Sequence, residues 1–90
     1  MTMTDLQTAP RVPYATPPLR DPRERLVRAA ADLWRVVERG DRVIGHVRVV
    51  DDPLGLRFRA ERLHRATAVF IDFGTFWTAD EAVAALRHSR

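Results

Sequence analysis

Cysteine and lysine are both absent from this 90-residue chain, and serine occurs once, at Ser89. Without cysteine there is no disulfide framework, no thiolate zinc site and no cysteine nucleophile, and an intracellular location fits. Without lysine neither a Schiff base nor a lysine-dependent phosphate loop can form, and one serine beside the C-terminus leaves the usual nucleophile arrangements unassembled. The four glycines are scattered, so no phosphate-cradling loop is present. The three histidines, His46, His64 and His88, have neither HxxxH nor HxH spacing. These absences argue against an enzyme and leave no metal or cofactor to expect. Long apolar runs are missing too: nothing approaches the roughly 20 residues of a membrane span. Met1 to Pro18 lacks the basic and apolar regions of a secretory signal. The expectation is a cytoplasmic protein without a membrane partner.

Hydrophobic residues make up 46% of the chain, enough for most of it to fold. Its length allows one domain, and a core this small supplies no more than about 3 to 5 kcal/mol, so a homodimer would be a natural source of extra burial. All fifteen basic side chains are arginine, at a net charge of +3. Codon bias in a GC-rich genome would produce this, and so would use of arginine's planar fork on phosphates and base edges. A charge of +3 does not separate the two, so arrangement must.

Residues 1–20 hold four of the six prolines and read as a flexible Pro/Thr-rich arm, with residues 21–90 as a single α+β domain. Asp21, Pro22 and Glu24 resemble a helix start, and Leu26, Ala29, Ala30 and Leu33 follow at helical spacing, so a short N-terminal helix is expected over Pro22 to Ala31. From Leu33 the period becomes two. Trp34 to Val37 and Val43 to Val49 flank the turn residues Arg39, Gly40 and Asp41, the pattern of a β-hairpin. Asp51, Asp52, Pro53 and Gly55 form the next loop. Leu56 to Glu61 reads as a third strand and Val69 to Phe73 as a fourth. Thr78 and Glu81 match a capping box, and Ala82, Val83 and Leu86 give the helix after it an apolar face. The fold expected is a small antiparallel β-sheet of three to four strands with a C-terminal helix packed on one face.

Strand alternation would turn Trp34, Val36, Val43, Val47, Val49, Leu56 and Phe58 toward the helix. Arg35, Val37, Ile44, His46, Arg48, Arg57, Arg59 and Glu61 would then share the other face. The candidate nucleic-acid contacts are Arg35, His46, Arg48, Arg57 and Arg59, which on one sheet face could track phosphates or read guanine edges in a DNA major groove. An ordinary solvated sheet face would also be polar. Val37, Ile44 and Phe70, rimmed by arginines, suit a protein contact instead, in which the chain is an adaptor docking through its sheet face or an edge strand.

The segments WRVV, RVIGHV, GLRFRA and FGTFWTADEAVAAL, between Trp34 and Leu86, resemble a small uncharacterised family of high-GC bacterial proteins with a β-meander and C-terminal helix. In topology, three strands and a helix are similar to the arm-binding domains of tyrosine recombinases and to plant AP2 domains, which lay a three-stranded sheet in the DNA major groove. That resemblance implies the DNA-contacting role for Arg35, Arg48, Arg57 and Arg59. The order helix, three strands, helix is also similar to double-stranded RNA-binding domains. Their basic second-helix start is replaced here by the acidic stretch Thr78 to Glu81.

Overall fold

The computed structural model describes residues 12–89, which form a five-stranded antiparallel meander and one helix. In chain order the strands are β1 (Glu24–Ala30), β2 (Leu33–Glu38), β3 (Val43–Asp52), β4 (Gly55–His64) and β5 (Val69–Phe76). The helix α1 (Ala79–His88) follows. Sheet order equals sequence order, so every connection is a short turn. The α+β class and the C-terminal helix follow the sequence reading; five strands replace the three to four expected.

The extra strand is β1, where a helix was expected. Asp21 does accept the Arg23 N–H at 3.0 Å, but it also pairs with the Arg23 guanidinium at 2.7 Å, and a turn rather than a helix follows. An isolated helix of about ten residues is marginal in water. Pairing with β2 gives the same residues a full ladder, with Leu26 opposite Val36 and Arg25 opposite Val37. Glu24 and Leu26 thereby turn to the helix side, and Leu26 packs against the core.

A second departure lies in β3. The register with β2 shifts between Val36↔Gly45 and Val37↔Val43, so Ile44 is the additional residue of a β-bulge. Past the bulge the alternation inverts. Ile44, expected outward, is 6% exposed in the core, and Val43, expected inward, is 46% exposed on the helix-free face.

The core lies between sheet and helix: Val36, Ile44, Val47 and Ala60 meet Ala82, Val83 and Leu86. Gly45 is required at the contact. A Cβ there would stand 2.6 Å from Leu86 Cδ2 and 2.9 Å from the Glu61 carbonyl oxygen, so the helix can seat only on a bare backbone. The Glu81 N–H donates to Thr78 Oγ1 and the Thr78 N–H to Glu81 Oε1, both at 3.1 Å, completing the capping box. At the other end of the helix, Arg87 grips Glu24 of β1 through two hydrogen bonds of 2.9 and 2.6 Å.

The expected arm is not free of the domain over residues 12–20. Tyr14 N–H donates to the Ala31 carbonyl at 3.0 Å, and the fully buried Trp34 donates from Nε1 to Thr16 Oγ1 at 3.0 Å. Leu19 packs on the core, and the Asp80 carboxylate accepts from the Arg20 N–H at 3.0 Å. These bonds give this segment's polar groups partners that a dangling leader would lack. As far as that expectation concerns Met1 to Arg11, it lies outside the described residues. No helix among the described residues is long and apolar enough to cross a membrane.

Two substitutions report on the helix seat. Gly45→Ala should destabilise the domain by about 1 to 3 kcal/mol through overpacking against Leu86, read as a lower urea midpoint. Thr78→Ala should cost about 0.5 to 2 kcal/mol through loss of the cap, and superimposable melts for variant and parent would show that the cap contributes nothing.

A basic sheet face and the cleft at its end

Residues directly opposite in an antiparallel ladder share a face, so the register arranges the helix-free face in rows. One row runs Val27, Arg35, His46, Glu61, Asp72 across all five strands. The next runs Leu33, Arg48, Arg59, Thr75, with Val50 and Arg57 beyond. On the other side of the first row lie Arg25, Val37 and Val43, and Leu63 opposite Phe70. Arg35, His46, Arg48, Arg57 and Arg59 therefore stand on one face.

Their electrostatic states differ. Glu61 is 5% exposed and serves two arginines, accepting from Arg48 Nε at 3.0 Å and standing 3.7 Å from Arg59. Arg48 also has Asp32 at 3.9 Å, Arg59 has Asp72 at 3.4 Å, and Arg57 has Asp52 at 3.8 Å. Arg57 further donates to the Thr75 carbonyl and stacks 4.5 Å over Trp77. The middle of the face is thus a chain of alternating charges, each guanidinium about a third exposed and held by a carboxylate. Arg35 is exposed and has no carboxylate within ion-pairing distance among the described residues.

His46 sits between these zones. Its ring meets Phe70 edge-on at 5.1 Å, and Arg48 lies 5.5 Å over the same Phe70 ring. Burial first, and then the Arg35 charge, push the imidazole below its usual value of 6.5, which favours its neutral form. Its Nδ1 is buried without a hydrogen-bond partner among the described residues.

Below His46 the sheet opens. The β3–β4 register starts at His46↔Glu61, so Val43 to Gly45 and Arg62 to His64 run past the paired segment. Between the splayed ends lies a cleft of about 390 Å³, lined by Arg42, Ile44, His46, Arg62, Leu63 and Arg65 among others, with no carboxylate among the described residues of its lining. Arg62 bridges the gap, donating to the Ile44 carbonyl at 3.2 Å. It also donates to the Leu86 carbonyl at 3.1 Å and to both oxygens of Ser89 at 3.2 Å. None of these acceptors carries a formal charge, but the carbonyls at the end of α1 are the negative pole of the helix dipole and offset part of the guanidinium charge while fixing it. Arg42 meets Glu38 only at 3.9 Å with its side chain 67% exposed. Arg65, in the β4–β5 turn, is exposed and has no ion pair among the described residues.

Arg42, Arg62, Arg65 and Leu63 escaped the sequence reading because the cleft depends on the bulge and the early end of the β3–β4 ladder. The one local signal was Gly45 inside a β-branched run, which marks a bulge or a close backbone approach. Among the described residues no three His, Asp or Glu side chains gather as a metal site. No family model, curated protein or solved structure matches the chain.

The state of His46 is open to titration by NMR. Its midpoint should fall below 6.5, and Arg35→Gln should raise it by removing a facing positive charge. Because the unfolded chain takes up this proton first, the His46 contribution to stability is full above 6.5 and is lost as pH falls from there toward the folded-state midpoint.

Proposed function

We propose that the protein is a non-catalytic nucleic-acid-binding module, with double-stranded DNA the expected ligand and the bacterial cytoplasm the expected location. The observation that carries this reading is the placement of weakly compensated cations. Arg35 on the helix-free face and Arg65 at its open end have no ion pair among the described residues, and Arg42 beside them has only the distant contact to Glu38. The Phe70 ring, just over a third exposed, lies on the same face. Phosphates would meet these side chains first. Arg48, Arg57 and Arg59 would act from behind, oriented by the carboxylates that hold them. In topology, a meander followed by a helix is analogous to the three-stranded DNA-binding sheets.

A second reading, an adaptor that docks on a larger protein, is favoured by one specific feature. Val43, Leu63 and Phe70, at 46%, 41% and 37% exposed, lie in the same region of the face. Aromatic and aliphatic side chains rimmed by arginine are the composition of protein interfaces.

Fluorescence anisotropy with a labelled duplex over a salt series separates the two. Log affinity should fall linearly with log salt, and Arg35→Ala should reduce the slope by about one unit with the fold intact, because one phosphate contact is lost. Absence of duplex binding by the parent at low salt defeats the nucleic-acid reading. Loss of a protein partner in Phe70→Ala, with an unchanged melt, would then establish the adaptor.

A further inference from the structure

We propose that the cleft between the splayed ends of β3 and β4 is a binding pocket for one phosphomonoester group, the chemistry of a strand's terminal phosphate or of a free nucleotide. The proposal deepens the nucleic-acid reading where the phosphate belongs to a strand end, but the pocket's affinity for phosphate stands apart from it.

Three features carry the assignment. First, among the described residues three guanidiniums and a histidine line the cleft and no carboxylate does. A phosphomonoester carries about −1.5 to −2 at pH 7, more than the single charge of an internal diester, so it draws more from converging arginines. Second, the floor is preorganised. Arg62 is held by carbonyls and a hydroxyl from β3 and the helix end, which take up four of its five N–H groups, so it supplies a fixed positive field and leaves the direct contacts to Arg42 and Arg65. Arg42 and Arg65 come from the β2–β3 and β4–β5 turns on either side, so both can close on a ligand seated above Arg62. Third, the pocket follows from backbone geometry. The bulge at Ile44 and the end of the ladder at His46↔Glu61 hold apart neighbouring strands that would otherwise pair, and a volume of about 390 Å³ accommodates a phosphate with some of its nucleoside.

The full chain, isotope-labelled, would be titrated with inorganic phosphate at constant ionic strength against chloride. Saturable shifts are expected at Gly45, His46, Leu63 and the Arg62 Nε–H. The double variant Arg42→Gln/Arg65→Gln spares Arg62 and so the helix end, and should weaken binding by about tenfold or more for two lost charge-assisted contacts. Anisotropy would then compare one oligonucleotide with and without a 5′-phosphate, with a nucleoside monophosphate as competitor. Tighter binding of the phosphorylated strand, equalised in the double variant, assigns the pocket to strand ends. Phosphate and mononucleotide binding with neither oligonucleotide bound keeps the pocket and defeats the nucleic-acid reading. No saturable shift at the cleft, or equal shifts in the folded double variant, overturns the pocket even if duplex DNA binds elsewhere on the face.

Discussion

Leu86 resting on the bare backbone of Gly45 is the contact on which the arrangement of this domain depends. The helix has four buried residues, and its last buried side chain must reach the sheet where β3 bulges. Close approach there brings the helix C-terminus within reach of Arg62 and carries the helix's own Arg87 to β1. Arg62 satisfies carbonyls that every helix end leaves without an internal partner, and Arg87 ties the last turn to Glu24 on β1. The same bulge that admits the helix also turns Val43 outward and precedes the separation of β3 from β4. Packing on one side of the sheet and the cleft at its end are therefore two results of one irregularity.

The helix-free face shows how an arginine-rich surface can be close to neutral. Glu61, buried and shared by Arg48 and Arg59, is the centre of a network in which Asp32 and Asp72 hold the outer positions, with Arg57 and Asp52 paired separately beside it. Removing one partner of such a buried pair leaves the other charge uncompensated in a poor solvent, so the network is conservative in its geometry. The consequence for recognition is a division of the surface. Its centre is self-compensated, and its open end carries positive charge that no carboxylate among the described lining residues offsets.

Much of this was legible in the chain itself. Alternation alone places Arg35, His46, Arg48, Arg57 and Arg59 on one face, because the strands from Trp34 onward keep period two wherever no bulge intervenes. The capping box at Thr78 and Glu81 is local chemistry, and the structure forms it at the residues the pattern marks. The failures have a common cause in partners distant along the chain. Glu24 to Ala30 has a helical start and helical spacing, yet the ladder offered by β2 outweighs both. Val43 and Ile44 exchange places because one extra residue reverses parity. Glu61 and Asp72, separated by a turn in sequence, become cross-strand neighbours that neutralise the arginines beside them.

The two tryptophans, placed so differently, make the domain its own pair of optical reporters. Trp34 is sealed in the interior with its indole N–H on Thr16, so its emission should be blue-shifted, shielded from iodide, and responsive to lifting of the segment before β1. Trp77 is half exposed beneath the Arg57 guanidinium, and its emission should be red-shifted and open to quencher. Selective quenching would thus resolve, without any label, whether an event peels the N-terminal segment away or disturbs the turn before the helix.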